Sequence, residues 1–271
     1  MKFYNNIPYD NIDPCFDNFR QDGYKEEEGW TTNFLGSAFS KSAFPLSERN
    51  KGTHYEYFVN AIMQTHQSPR FANSEDYYEY VALLQSILSA EKQYSMIKLG
   101  AYHGRWEAFA CEANKQHKDL PIRITSIDSN ANCLRRVAET FVKNNLDECS
   151  KLDHEIVLGY VNKDHMPQAI SYPKIDLNRV IERQAPIDLL DCDIQSGEKG
   201  LFEQHESAMK RVRRVLIGTH SETIHTNIER LFQHWGWTCK ANLPFRKRIQ
   251  TEYGELITED GLQHWVNPRL I

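Results

Sequence analysis

The stretch Met96-Ile97-Lys98-Leu99-Gly100-Ala101-Tyr102-His103-Gly104-Arg105-Trp106 decides how this chain folds. Tyr94 to Leu99 is a short apolar run that stops at glycine, the pattern of a buried strand. Arg105 to His117 has helical periodicity. Strand, glycine turn and helix in immediate succession form the first half of a βαβ unit. In open α/β sheets, ligands bind beyond the carboxyl ends of the strands. Glycine at such a turn lets the backbone approach a ligand closely, and the helix that follows offers unpaired N–H groups. The spacing is G-x-x-x-G. It lacks the G-x-G-x-x-G arrangement that a pyrophosphate requires.

Reading outward toward the C-terminus, the same alternation continues. Ile122 to Ile127 is a second strand ending at Asp128, and Asn130 to Asn144 is a helix. Glu155 to Val161 is a third strand and Ile187 to Cys192 a fourth. A helix over Glu198 to Arg211 leads to a fifth strand, Val212 to Gly218, and then to a helix over Ser221 to Trp235. Strands alternating with helices predict a mostly parallel sheet covered on both faces. The tail changes character. Trp237 to Leu243, Glu252 to Ile257 and Leu262 to Val266 read as β segments, with Glu259-Asp260-Gly261 as a hairpin turn. The expectation is an α/β protein with an antiparallel C-terminal strand.

Toward the N-terminus, Met1 to Asn50 is rich in Asn, Asp, Tyr and Ser, contains Pro8, Pro14 and Pro45, and reads as irregular. His54 to Lys92 is helical, with Tyr78, Val81, Leu84, Ile87 and Leu88 on one stripe and Ser74 as N-cap. The chain thus divides into an extension, residues 1–92, and a main domain, residues 93–271. The extension is expected to cover the acceptor site.

Composition narrows the function classes. The chain has 271 residues and a formal net charge of −5, with 40% hydrophobic and 25% charged residues. Nucleic-acid binding needs clustered cations. The one basic cluster, Lys210, Arg211, Arg213 and Arg214, sits at a predicted helix end, where cations favour the dipole. No nucleic-acid partner is expected. Cys15, Cys111, Cys133, Cys149, Cys192 and Cys239 include no C-x-x-C pair and read as a reduced set. The opening MKFYNNIPYDNIDP has no apolar core of a signal peptide, and no run is long enough to span a membrane. A cytoplasmic location is expected.

Two acidic features stand at predicted strand ends. Asp128 can accept hydrogen bonds from both ribose hydroxyls of an adenosine, or it can cap the next helix, a role open also to Ser129 and Asn130. In Asp188-Leu189-Leu190-Asp191-Cys192-Asp193-Ile194-Gln195-Ser196-Gly197-Glu198, period two puts Asp191 and Asp193 on one side. Buried carboxylates are costly unless paired or functional. They suit a general base, or Asp191, Asp193 and Glu198 suit a hard divalent cation. His220, at the end of the fifth strand in Ile217-Gly218-Thr219-His220-Ser221, faces the same cleft and suits a proton acceptor. No zinc pattern, P-loop or G-x-S-x-G occurs, and no metal site is predicted.

These segments resemble the FkbM-type methyltransferases. Leu99-Gly100-Ala101-Tyr102-His103-Gly104-Arg105-Trp106 looks like that family's glycine loop, and Asp193-Ile194-Gln195-Ser196-Gly197-Glu198 like its D-[IV]-Q-G-x-E motif. Ile217 to Ser221 and Asp260 to Leu270 are similar to further branch signatures. The resemblance implies a Rossmann-like methyltransferase fold with a seven-stranded sheet, S-adenosylmethionine as donor, and O-methylation of a sugar, glycan precursor or related small metabolite. It implies donor contacts from Gly100, Ala101, Tyr102, Gly104, Arg105, Asp128, Ser129, Asp191 and Asp193. Asp193, Glu198 and His220 would be catalytic, and Gln195 and Ser221 would meet the acceptor. A homo-oligomer is compatible with it.

Two residues depart from the family pattern. Lys98 stands where an acid usually holds the donor's amino group, and Ser196 replaces the glycine of D-I-Q-G. Two other classes remain open: an NAD-type oxidoreductase, disfavoured by the glycine spacing, and a non-enzymatic module that has lost its donor, favoured by Lys98.

Overall fold

A computed structural model describes residues 12–44, 54–70, 74–162, 172–198 and 200–271. In chain order the strands and helices begin with β1 (Glu26–Glu27), β2 (Trp30–Thr32), β3 (Ala38–Ser40), α1 (His54–Gln67) and α2 (Glu75–Ser89). The alternating part follows: β4 (Tyr94–Leu99), α3 (Arg105–His117), β5 (Ile122–Asp128), α4 (Ala131–Lys143), β6 (Leu152–Leu158), α5 (Leu177–Gln184) and β7 (Leu189–Cys192). Then come α6 (Leu201–Gln204), α7 (Glu206–Met209), β8 (Arg214–Thr219), α8 (Glu222–His234), β9 (Thr238–Leu243), β10 (Arg248–Thr251), β11 (Gly254–Ile257) and β12 (Gly261–Val266).

Among the described residues the main sheet has seven strands in the order β6-β5-β4-β7-β8-β12-β9. Strands β4 to β8 pair in parallel, and β12 is antiparallel to both β8 and β9. This is the expected α/β architecture. The C-terminal strand is internal, inserted between β8 and β9. All six residues of β4 are buried, as a central parallel strand covered on both faces requires. Because β5 and β7 lie on opposite sides of β4, strand order reverses there. Such a switch point opens a crevice at the carboxyl ends.

Two apolar clusters flank the sheet. One joins Phe16, Phe34, Phe39, Tyr80, Leu84 and Phe109 to sheet residues such as Met96 and Ile124. The other joins Ile97, Leu190 and Ile217 to Ile181, Phe232 and Trp265. The first cluster draws on both sides of residue 92. The described part of residues 1–50 is therefore more ordered than its composition predicts. It forms a 3-10 turn at Pro14–Asn18 and the antiparallel sheet β1-β2-β3. Buried aromatic rings supply the reason: fully burying each contributes roughly 1.5–3 kcal/mol. Asn144 then pins β3 to α4, accepting from Ala38 N (2.7 Å) and donating to Ala38 O (2.8 Å). Pro8 and Pro45 lie outside the described residues.

Other expectations are corrected. Instead of one helix over Glu198 to Arg211 there are two single turns, α6 and α7. Gly200 in left-handed conformation (φ 71°) precedes the first, and His205 separates them. Glu198 lies in the turn before them and opens no helix. The sequence reading lacks α5 and β10. Glu259-Asp260-Gly261 is not a hairpin turn, because β11 pairs with β10 in a separate small sheet while β12 joins the main one. Ser74 does precede α2, but its hydroxyl bonds Thr65 (2.6 Å) instead of capping the helix.

Candidate active site

The β4–α3 turn is built around Gly100, whose φ of +80° falls in the left-handed region. A Cβ there would sit 1.7 Å from the carbonyl oxygen of Asp193. Only glycine lets the β4 turn close against the residue that follows β7. Asp193 N donates to Leu99 O (2.9 Å), which locks the two strand ends together. Gly104 is also left-handed (φ 70°), and a Cβ would lie 3.0 Å from Val137 Cα in α4.

A cavity of about 560 Å³ opens at these strand ends, within the range of small-molecule sites. Its walls come from Leu99 and Gly100 at the end of β4, Asp128, Ser129 and Asn130 at the end of β5, and Asp193, Gln195 and Gly197 after β7. Gly159, Tyr160, Val161 and Asn162 after β6, with Tyr172, close the remaining side. In the sequence reading these last five have no role in a site. For Gly159 to Asn162 the signal is position alone, at the carboxyl end of a third parallel strand.

Asp128 is oriented by backbone. Its Oδ2 accepts from Tyr102 N (3.0 Å) and its Oδ1 from Asn130 N (2.8 Å). Asn130 is the residue that caps α4, accepting from Asn132 N (2.9 Å). Burial pushes the Asp128 carboxyl up, while the two N–H donors oppose that shift. A carboxylate has about four acceptor positions, so two remain for hydroxyl donors in the cavity.

Five of the sequence-predicted residues meet at this cavity: Gly100, Asp128, Ser129, Asp193 and Gln195. Ala101, Tyr102 and Gly104 shape the turn without lining it. Tyr102 adopts φ 49° and is 46% exposed. Arg105 faces α2 instead. Its Nη1 lies 2.6 Å from Asp76 Oδ2 and its guanidinium stacks over Phe44 and Trp106 at 4.7 and 4.8 Å. Asp76 also meets His66 Nε2 at 3.1 Å, so the Arg105 guanidinium is engaged outside the cavity lining. Asp191 likewise turns away. Its Oδ1 accepts from Lys98 Nζ (2.8 Å), with the two residues 3% and 4% exposed. Burial opposes the Lys98 charge, but Asp191, Asp193 and Glu79 outweigh it and hold the ammonium protonated. Ser221 caps α8, accepting from Ile224 N (3.2 Å).

Beside the cavity, His220 stands between carboxylates. Its Nδ1 lies 3.0 Å from Glu198 Oε1 and its Nε2 3.2 Å from Asp193 Oδ1. The side-chain amide of Gln195 lies 2.8 Å from the same Nε2, and it is the amide oxygen that an imidazolium N–H there would face. Glu198 Oε1 also accepts from Ile194 N (3.0 Å), fixing the D-I-Q turn. Burial works against the imidazolium, but Asp193 and Glu198 overcome it and push the His220 pKa up to about 10. Asp193 moves the other way: burial raises it, yet His220 and Lys98 hold it below the usual range. Asp260 completes the ring, with Oδ2 3.7 Å from Nε2. Sequence reasoning placed Asp260 in a turn and gave it no role.

Asp193, Glu198 and His220 are also, among the described residues, a group with metal-ligand atoms within 4.8 Å of one another. The imidazole presents opposite nitrogens to the two carboxylates. This is the geometry of an imidazolium held between two anions.

No protein-family model matches the chain. A protein of Jannaschia sp. (strain CCS1) named "Putative methyltransferase" is 36% identical over 63 residues, a stretch covering 22% of this chain and 22% of that protein. Among solved structures, the chain is similar to M. capricolum TrmK in complex with S-adenosylhomocysteine. The TM-score is 0.40 at 12% identity, covering 69% of this chain and 67% of that one. It is also similar to precorrin-6Y C5,15-methyltransferase from Geobacter metallireducens (TM-score 0.45, 12% identity, 72% and 88% covered). At these values of identity and overlap, the geometry of the cleft itself carries the functional reading.

Proposed function

We propose that this chain is an S-adenosylmethionine-dependent methyltransferase that modifies a hydroxyl group of a sugar, glycan precursor or related small metabolite. The carrying observation is Asp128. It ends the second strand beside the switch point, is fixed by two backbone N–H groups, and faces a cavity with acceptor capacity to spare. That is the place and chemistry for a ribose. Gly100 gives the cavity its floor, and Ile127, Val161 and Ile194 add apolar wall. Lys98, the residue that favoured a fold without a donor, is accounted for by Asp191 and lies out of the cavity.

When bound, the donor supplies a methyl group already activated on a sulfonium. The protein's task is then to align an oxygen in line with that group, and positioning of this kind supplies roughly 7–11 kcal/mol of a barrier. Asp193 and Gln195 reach from the donor cavity to His220, so they stand between the donor and the acceptor end. Asp193, Glu198 and His220 form a charged cluster beside the place an acceptor hydroxyl would take. The described part of the extension adds a cover: Tyr102 Oη lies 3.5 Å from Ala43 O.

Calorimetry with S-adenosylhomocysteine tests the donor assignment, with micromolar binding expected in the wild type and none in Asp128→Ala. Label transfer from methyl-labelled donor to a panel of free sugars and sugar nucleotides tests the acceptor class. Failure of every hydroxyl compound, with donor binding intact, assigns the methyl to another nucleophile.

A further inference from the structure

Asp260 reaches the site through strand pairing. It precedes β12, whose first residue Gly261 pairs with Thr219, the neighbour of His220. A Cβ at Gly261 would lie 2.2 Å from Thr219 Oγ1 and 2.7 Å from His225 Nδ1. Glycine alone lets the turn come this close. Asp260 Oδ2 then lies 3.7 Å from His220 Nε2, the nitrogen that already faces Asp193 at 3.2 Å. The single N–H on that nitrogen goes mainly to the nearer carboxylate, Asp193. Asp260 is the poorer partner, and with 36% of its side chain exposed it is accessible to a ligand.

The turn is held from beneath. Glu75, the first residue of α2 and only 8% exposed, directs Oε1 at the backbone N–H groups of Glu259 (2.6 Å) and Asp260 (3.3 Å). A carboxyl placed in the protein interior is costly unless it has a task. Here its bonds fix the backbone of the residue that faces His220.

We propose that Asp260 is a further catalytic residue, the carboxylate that receives the proton of the acceptor hydroxyl, and that Glu75 is the positioning residue that holds it beside His220. This rests on the methyl-transfer reading. The acceptor O–H bond breaks and its proton goes to Asp260. A C–O bond forms as the S–CH₃ bond breaks, and that electron pair stays on sulfur. A sulfonium and a carboxylate become a thioether and a carboxylic acid, so charge balances.

The neighbouring groups favour Asp260 for this task. His220 already holds its proton, and Asp193 is held as an anion by His220 and Lys98. Asp260 is pushed up to about 6, chiefly by burial and despite His220, with Asp193 and Glu259 raising it and Arg246 opposing. A base near the working pH is the effective one. Glu198 faces the far nitrogen of His220 and Gln195 is neutral, so neither competes.

Histidine-labelled free protein, read by NMR titration, tests the arrangement without donor or acceptor. Asp260→Asn is expected to lower the His220 midpoint by roughly half a unit or more, since an anion beside an imidazolium raises its pKa. Glu75→Ala should shift it the same way by less. Glu75→Gln, whose amide oxygen still accepts both N–H groups, should restore it. In the methyl-transfer assay, Asp260→Asn should lose roughly 100-fold or more in turnover. It should also lose the acidic limb near pH 6, with S-adenosylhomocysteine affinity within about twofold of wild type. An unchanged His220 midpoint in Asp260→Asn overturns the pairing. Wild-type turnover in that variant overturns the proton-acceptor role whatever the titration shows. If no hydroxyl compound accepts a methyl group, the methyl-transfer reading fails and the proton role with it, while the titration still judges the Glu75–Asp260–His220 arrangement.

Discussion

Lys98 and Asp191 sit side by side on adjacent parallel strands, paired in register, with Nζ 2.8 Å from Oδ1 and both residues closed off from solvent. In the sequence, Lys98 stands where the resemblance leads one to expect an acid, and Asp191 reads as a donor ligand. In the fold each answers the other. Removing one partner of such a pair leaves a buried charge unmatched, whereas replacing both by apolar residues is often neutral.

Lys98→Met should therefore destabilise the protein by about 3–5 kcal/mol. The double variant Lys98→Met with Asp191→Leu should recover most of that loss in urea denaturation. S-adenosylhomocysteine affinity of the double variant should stay near wild type. A large loss of affinity in a stable double variant would place the pair in donor binding.

Arg105 is a second test of placement. Its guanidinium neutralises Asp76, and Asp76 in turn is held well below the usual carboxylate range: burial raises it, but Arg105 and His66 prevail. Arg105→Ala should cost about 3–5 kcal/mol of stability, as expected for a buried charge left alone. Arg105→Lys should recover only part of it, since the ammonium lacks the planar surface that lies over Phe44 and Trp106. Denaturation midpoints of the two variants measure this directly.

Gly100→Ala should fail for a different reason. The added Cβ meets backbone, the Asp193 carbonyl oxygen at 1.7 Å, and φ is +80°. Strain at such a position costs about 1–3 kcal/mol before the clash is counted. Both thermal stability and donor binding should fall, because relief of the clash separates the ends of β4 and β7. Gly236→Ala serves as a control. It is also left-handed (φ 75°) but has open space around its Cβ position, so it should lose only the conformational share.

His220 sets a pH dependence of stability. Its folded-state pKa is raised from 6.5 to about 10 by Asp193 and Glu198, against burial. Between those values the folded protein binds the proton more tightly than the unfolded chain does. The stabilisation is complete below pH 6.5 and is lost as pH rises through about 10. Melting temperature should decline across this window in wild type. His220→Gln should flatten the decline, and an unchanged slope would remove His220 as its source.

Much of the fold was legible in the chain's own pattern. Short, mainly apolar runs marked β4, β7 and β8, since strands buried on both faces need little polar alternation, while β5 showed through Ile122, Ile124 and Ile127. β6, with its mixed exposure, was read three residues late. The helix over Glu198 to Arg211 was misread because Gly200 adopts a left-handed conformation that local periodicity does not reveal. The aromatic residues of the extension were visible, but their burial against Tyr80 and Phe109 depends on contacts distant in sequence.

The candidate site divides the same way. Local sequence determined the residues whose position follows from a strand end: Gly100, Asp128, Asp193 and His220 all lie where a strand meets its turn. Tertiary structure decided their partners. It turned Lys98 onto Asp191 and Arg105 onto Asp76, and it brought Asp260 to His220 across 40 residues by the pairing of β12 with β8. The physical reason is that periodicity reports which way a backbone segment faces. The energy of a charge depends on what else the fold has buried beside it.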